Sequence, residues 1–546
     1  MAGGNAEWWR GCVVYQIYPR SFQDTTGDGS GDLKGVTSRL AHVASLGVDA
    51  VWLSPFFKSP MADMGYDVSD YRDVDPMFGT LEDFDALVAE AHRLGLKLII
   101  DQVISHSSDK HEWFVESRAS RDNAKADWYV WADAKPDGSA PNNWQSLFGG
   151  PAWEWDARRQ YYMHNFLAAQ PDLNFHNPEV QDAVLDTVRF WLERGVDGFR
   201  LDTVNYYVHD RWLRDNPPLA SSVAGTNVAS TTYAFQEHLF DKTRPENLDF
   251  LKRFRVLLDE YPDRAAVGEV GDEERSLQTL AAYTSGGDKL QMCYTFDLLG
   301  PQFSAAHVRG CVEAFENAVA DGWVCWAFSN HDVMRHVSRW TQPGENPDAV
   351  AKFAIALLSC LRGSICLYQG EELGLEEAEL AYEDLRDPLG VRFWPGVKGR
   401  DGCRTPMVWE AGAEIGGFSA GKPWLPVPPS HRARAVDVQE GEDGSVLAAY
   451  RSMLALRKRH PALIAGSIRF LEAEGDVLAF IRQHENENLL CVFNFAGEPA
   501  NWTLPAEISD VEITVLAVDV AGVLGGVLGE IALALPPVGC FVGRIG

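Results

Sequence analysis

The feature that most restricts the fold of this chain is a rhythm. Short apolar runs alternate with longer helix-patterned segments, and run after run stops on an acidic or imidazole side chain. The runs read as strands at Val13–Tyr18, Val48–Leu53, Leu96–Ile100, a stretch ending at Asp202, Ala265–Val270, Gln291–Phe296, Trp323–Phe328 and Ser364–Tyr368. Between them, Leu81–Leu94 is capped by Thr80 and ended by Gly95, and Pro178–Arg194 carries Val184, Leu185, Val188, Trp191 and Leu192 at helical spacing. Alternating strands and helices imply parallel strands with right-handed crossovers, and eight such units close a barrel. The expected class is therefore α/β, a (β/α)8 barrel.

The rhythm breaks twice. From Ser107 to His176 the chain is rich in Trp, Asn, Pro and Gly. A structureless loop of that length does not suit a compact domain, so a small inserted subdomain is expected after strand three. Late in the chain, Val477–Arg482 and Leu489–Asn494 flank a turn-like His484–Asn488, and short apolar runs continue. This predicts a C-terminal antiparallel β-sandwich domain. The expected division is a catalytic barrel in 1–106 and 177–462, an insert in 107–176 and a C-terminal domain in 463–546.

In parallel barrels the chemistry sits at the C-terminal ends of the strands. In Gly198-Phe199-Arg200-Leu201-Asp202-Thr203, alternation puts Arg200 and Asp202 on one face. Strand three runs into Asp101-Gln102-Val103-Ile104-Ser105-His106, strand five holds Glu269, and strand seven ends at Asn330-His331-Asp332. Retaining cleavage of a glycosidic bond needs one ionised carboxylate and one protonated carboxyl about 5 Å apart. An adjacent guanidinium holds the first ionised, while burial among other acids holds the proton on the second. Arg200 beside Asp202, and Glu269 behind apolar Ala266-Val267, suit those tasks. Each residue alone also reads as a salt-bridged strand end; their joint order points to chemistry.

An Asp-rich loop follows the first strand. Asp24, Thr26, Asp28, Ser30 and Asp32 stand at positions 1, 3, 5, 7 and 9, as oxygen ligands do in an EF-hand loop. Val36 replaces the closing glutamate. The expectation is a structural divalent cation, calcium or magnesium; the alternative is a turn that caps the helix starting near Leu33.

Together the Asp101–His106 segment, Gly198–Asp202, the Glu269 segment, Asn330-His331-Asp332 and Gln170-Pro171-Asp172-Leu173-Asn174 resemble glycoside hydrolase family thirteen, the α-amylase clan, in its α-glucosidase and oligo-1,6-glucosidase branch. The resemblance covers nearly the whole chain. It implies that Asp202 is the nucleophile, Glu269 the general acid/base and Asp332 a transition-state stabiliser. It implies that His106, His331 and Arg200 hold the sugar and orient the nucleophile, with Tyr66 as stacking platform. Asp67 and Arg400 would pair to close the pocket, with Arg404 a rival for Arg400. Phe148 and Phe166 would line the acceptor side. Thr203 stands where relatives selective for α-1,6 bonds resemble Val, so it leans to α-1,4. The metal loop matches the family's. The implied activity is an exo-acting retaining α-glucosidase on short α-1,4 oligosaccharides such as maltose, with sucrose hydrolysis and transglucosylation as further activities. The alternative is an oligo-1,6-glucosidase or a sucrose- or trehalose-type transferase or isomerase.

A formal net charge of -30 argues against nucleic acid and anionic membranes as partners. The 18 Trp residues suit a pocket that stacks on sugar rings. Nine cysteines without a CxxC pair favour a reducing compartment. The N-terminus lacks a signal pattern, and Val520–Gly529 is too short to span a bilayer. The expected picture is a cytoplasmic protein acting on small α-glucosides, a monomer or weak homo-oligomer, with no organic cofactor.

Overall fold

Local punctuation sets the frame. Gly95 and Gly195, at φ +77° and +93°, adopt the left-handed backbone that ends a helix before a strand begins. Thr80 caps its helix by accepting the amide of Asp83, whose carboxylate returns the bond. The computed structural model describes residues 7–219, 232–272, 275–509, 511–516, 527–528 and 532–546. Most of Val520–Gly529, weighed above as a bilayer span, lies outside them.

Eight strands, β1 (Val13–Ile17), β2 (Ala50–Leu53), β3 (Lys97–Gln102), β4 (Gly198–Leu201), β5 (Ala265–Val270), β6 (Met292–Thr295), β7 (Cys325–Ala327) and β8 (Ser364–Tyr368), form one parallel sheet. It is ordered β6-β5-β4-β3-β2-β1-β8-β7. A single parallel bridge, Cys293 to Val324, joins β6 to β7 and closes the cylinder. The helices that follow the strands in turn are α1 (Leu33–Ser45), α2 (Leu81–Arg93), α3 (Pro178–Glu193), α4 (Asn247–Asp259), α5 (Ser276–Thr284), α6 (Ala305–Ala318), α7 (Pro347–Cys360) and α8 (Val446–Arg459). This is the (β/α)8 barrel that the strand–helix rhythm predicts.

Most of the helices bury one apolar stripe, whereas α7 is buried without a break from Val350 to Cys360. On α3 the stripe consists of Val180, Val184, Val188, Trp191 and Leu192, each side chain contributing about 1.5–3 kcal/mol when fully buried. Inside the barrel, Val14, Ala50, Trp52, Ile99, Val267, Met292, Cys325 and Cys366 fill a separate core. All nine cysteines are buried thiols. Among the described residues no helix is long and apolar enough to cross a membrane.

Between β3 and α3 the chain builds a helix at Glu112–Ala119 and a small antiparallel sheet from 131–132, 161–163 and 153–155. The bridges His106 to Asp172 and Tyr129 to Leu173 tie it back to the end of β3. The C-terminal part pairs Ser467–Leu471, Val477–His484, Glu487–Asn494, Gly539–Ile545 and Ile513–Val515 in one antiparallel sheet. A three-stranded sheet of Ala500–Thr503, Ala532–Leu535 and Val527–Leu528 accompanies it. Val492 and Phe541 of the first sheet share a core with Trp502 and Leu533 of the second, which makes a sandwich. The buried Arg482 fastens this domain to the barrel by donating to the carbonyl of Cys360 (2.6 Å).

Candidate active site

Strand register sets the centre. Asp101 of β3 lies opposite Arg200 of β4, and Arg200 opposite Val267 of β5. Two residues further along each strand, on the same inward face, come Asp202 and Glu269. Neighbouring strands run about 4.8 Å apart. Asp202 and Glu269 therefore meet because both strands advance in step past one level.

One guanidinium serves this level. Arg200, fully buried, donates through Nη1 to Asp101 (2.8 Å) and Asp202 (2.6 Å), and pairs through Nη2 with Glu269 (2.7 Å). Its Cζ lies 4.9 Å above the Trp52 ring. Tyr294 of β6 accepts from Arg200 and donates to Glu269 at 2.9 Å. Thr203, a β-branched residue at φ +40°, turns its amide to Glu269 Oε2 (3.0 Å) and its hydroxyl to Asp202 (3.3 Å). That backbone region is costly for such a side chain, and strain of this kind gathers at working sites.

Three carboxylates share one cation, so they do not all ionise freely. Burial raises Asp202 and Glu269 to about 7 and Asp101 to about 6, against the pull of Arg200. Burial, aided by the charges of Asp202 and Asp332, holds the proton on Glu269 against Arg200. Asp332 behaves differently. Burial opposes its charge, but the guanidiniums of Arg400 and Arg404 outweigh that and hold it well below the usual carboxylate range. Burial keeps both imidazoles neutral, with His106 pushed down to about 4 and His331 lowered well below its ordinary value.

The remaining expected residues divide. Tyr66 stacks on His331 at 5.3 Å with 7° between planes, and its hydroxyl donates to Asp101 at 3.1 Å. His331 Nδ1 takes the Gln16 amide at 2.7 Å. His106 donates Nε2–H to the Tyr66 carbonyl (3.0 Å) and packs its ring on Phe166 at 5.1 Å. Phe148 and Phe166 join Tyr206, Leu389 and Val397 in an apolar wall.

The expected Asp67–Arg400 pair is not formed. The Asp67 carboxylate accepts from Ser59 Oγ (2.9 Å) and the amides of Ala62 (2.9 Å) and Asp63 (3.0 Å), closing its own turn. Arg400 instead pairs with Asp63 (2.8 Å), Asp387 (2.7 Å) and Asp332 (3.1 Å), with its Cζ 5.4 Å above Phe148. Arg404 is no substitute for it, since both arginines reach Asp332, Arg404 at 2.9 Å. Asp63, Asp387, Tyr294 and Gln16 escape sequence reasoning. Asp63 had a signal, because Asp63 and Asp67 flank Gly65-Tyr66, but nothing in the spacing separates a turn-closing Asp from a pairing one.

The carboxylates of the Asp24–Asp32 loop accept hydrogen bonds that close the loop and cap the following helix. Asp24 accepts the amides of Thr26, Gly27 and Gly29 (each 2.8 Å) and the Ser419 hydroxyl. Asp32 accepts from Thr25 (2.7 Å) and caps α1 through Gly35 (2.7 Å), and Asp28 accepts from Ser30 (2.8 Å). These bonds are those of the capping alternative, with the Thr26 hydroxyl also donating to Asp24 (3.1 Å). Among the described residues no three His, Cys, Asp or Glu side chains converge as metal ligands. Chelation should leave the melting temperature within about 1 °C; a larger fall restored by calcium or magnesium would show a structural cation here.

The comparisons decide the family. The model described as Alpha amylase, catalytic domain, matches residues 16–466. The chain belongs to the α-amylase family. As a member it is a glycoside hydrolase. A model described as Maltogenic Amylase, C-terminal domain, matches residues 468–542 of this family member. The chain is 63% identical over 503 residues to a Rhizobium meliloti (strain 1021) protein named "Probable alpha-glucosidase", covering 91% of each chain. It is similar to the solved alpha-glucosyl transfer enzyme XgtA, with TM-score 0.95, 54% identity and 99% of both chains covered. It is also similar to the trehalulose synthase MutB from Pseudomonas mesoacidophila MX-45, with TM-score 0.88, 33% identity and 99% of both chains covered.

Proposed function

We propose that this α-amylase family member is an exo-acting, retaining α-glucosidase that releases α-glucose from the non-reducing end of short α-1,4 oligosaccharides such as maltose. The observation that carries the reading is the in-register pair Asp202 and Glu269 on one guanidinium. Carboxyl groups on adjacent strands suit the roughly 5 Å spacing of retaining enzymes better than the wider gap that admits a water in inverting ones.

Asp202 attacks the anomeric carbon while Glu269 gives its proton to the glycosidic oxygen, and the bond to the leaving sugar breaks. A β-linked glucosyl ester on Asp202 results. Glu269, now a base, takes a proton from water; the water oxygen bonds to the anomeric carbon and Asp202 departs. Asp332, held ionised by its arginines, faces the positive charge of each transition state. His106, His331 and Arg200 fix the hydroxyls and the nucleophile. The Asp63–Arg400–Asp387 clamp supports exo action, because it walls off the end where a longer chain would continue. Tyr66 and the Phe148–Phe166 wall supply the stacking faces.

For linkage, the Thr203 hydroxyl, also 3.1 Å from Ser105, supports the lean to α-1,4. A panel of maltose, isomaltose, sucrose, trehalose and starch, read by glucose release, should rank maltose first; isomaltose first would overturn the lean. NMR of the first product should show α-glucose, and initial β-glucose would refute retention. The likeness to a glucosyl transfer enzyme and a trehalulose synthase favours transfer as a second activity, and product analysis in which disaccharide isomers dominate over glucose would make it the main one. Nine buried thiols suit a reducing cytoplasm.

The need for an ionised Asp202 beside a protonated Glu269 predicts a bell-shaped kcat/KM profile. Below the pair's lower apparent pKa Asp202 loses its charge, and above the upper one Glu269 loses its proton. With burial holding both at about 7, the basic limb should fall near neutrality instead of near the ordinary glutamate value. A profile flat to pH 9 would contradict it.

A further inference from the structure

Beyond the acids lies a buried group that the mechanism above does not use. Lys242 is fully buried in the segment after β4. Its Nζ donates to the Tyr233 hydroxyl (2.8 Å), the Tyr206 hydroxyl (3.2 Å) and the Gly271 carbonyl (2.9 Å). The two tyrosine hydroxyls lie 2.8 Å apart.

Each of these three groups leads to the site. Gly271 follows Glu269 by two residues, and Asn205 holds it through both its amide (3.0 Å) and its carbonyl (2.9 Å). Tyr206 follows Asp202 by four residues, and its ring packs 5.5 Å from Phe166, which in turn rests on His106. A Cβ on Gly271 would meet the Tyr206 ring at 3.5 Å, so the tyrosine packs against the backbone just beyond the acid/base. An acceptor that Glu269 deprotonates must approach from that side, because its hydroxyl has to reach both Glu269 and the anomeric carbon.

We propose that Lys242 is a positioning residue which, through Tyr206 and Tyr233, fixes the face on which a sugar acceptor rests and so sets how the glucosyl enzyme divides between an acceptor hydroxyl and water. The proposal rests on the retaining reading given above. In the step concerned, the acceptor O–H gives its proton to Glu269, its oxygen bonds to the anomeric carbon, and the ester bond to Asp202 breaks. Water undergoes the same exchange without needing a face to lie on. Loosening Tyr206 therefore penalises the acceptor more than water.

The test compares Lys242→Met, Lys242→Arg, Tyr206→Phe and Tyr233→Phe with the wild type, using p-nitrophenyl α-glucoside as donor and cellobiose, whose β-linkage makes it an acceptor and not a donor, as acceptor. Nitrophenol release counts every turnover, and free glucose counts hydrolysis. In Lys242→Met the half-saturating acceptor concentration should rise about tenfold and the transfer-to-hydrolysis ratio should fall with it, the scale of losing a hydrogen bond from a charged donor. Lys242→Arg should recover part of the ratio, and Tyr206→Phe and Tyr233→Phe should lower it less. A ratio unchanged in the folded variants, or transfer and hydrolysis falling equally, would overturn the proposal and leave Lys242 a structural residue. If Lys242→Met does not fold, the two tyrosine variants decide by the same criterion. A wild-type enzyme that releases no nitrophenol would instead refute the α-glucosidase reading itself.

Discussion

Asp202→Ala is expected to lower kcat by at least about 10⁴-fold while leaving a folded protein, because it removes the one atom that forms the covalent bond. The fold should survive, since Arg200 keeps Asp101 at 2.8 Å and Glu269 at 2.7 Å, so its charge stays partnered. The shortened side chain also leaves space for a small anion. Azide with α-glucosyl fluoride should give β-glucosyl azide: azide bonds to the anomeric carbon from the face Asp202 occupied, and fluoride leaves. Turnover within tenfold of the wild type would show that another group is the nucleophile.

The second large effect separates two aspartates four residues apart. Asp63→Ala should cut kcat/KM by about 10²–10³-fold, because it strips a buried carboxylate from Arg400 and loosens the guanidinium that also reaches Asp332. Removing one partner of a buried pair costs roughly 3–5 kcal/mol, so the variant should also melt earlier. Asp67→Ala should behave differently. It leaves the Ala62 and Asp63 amides and the Ser59 hydroxyl without their acceptor, a cost of about 1–3 kcal/mol in stability. Its KM for maltose should move far less than that of Asp63→Ala. Equal KM effects would restore Asp67 to the binding site.

What could be read in the sequence was what repeats or alternates. Strand number, strand ends and the facing of Arg200 with Asp202 follow from periodicity, and the in-register meeting of Asp202 with Glu269 follows from parallel strands. Closure of the pocket did not, because it is made by segments far apart in sequence: Asp63, Asp387 and Arg400 come from separate loops. Strand-end acids were also over-read as a class. Glu371 and Glu372 follow β8 yet turn inward, accepting from Tyr368 N (3.0 Å) and from Tyr15 (2.8 Å), and Asp297 after β6 accepts the Ser276 hydroxyl at 2.7 Å. Only their surroundings distinguish such supports from reacting groups. The Asp24–Asp32 loop illustrates the same ambiguity, since alternate oxygens suit a cation and a hydrogen-bonded cap equally well on paper.

The lone bridge between β6 and β7 has a consequence for how activity is lost on heating. The other neighbouring barrel strands are laddered along their lengths, so this seam is the weakest line in the cylinder and should open first. The amide proton of Cys293, which crosses the seam to the Trp323 carbonyl, should then exchange with deuterium sooner than those of β4. Asp332 hangs from the β7 side of the seam, whereas Asp202 and Glu269 belong to β4 and β5. Opening would part the third acid from the other two while helices and most strands persist, so heat inactivation should precede the loss of far-UV circular dichroism.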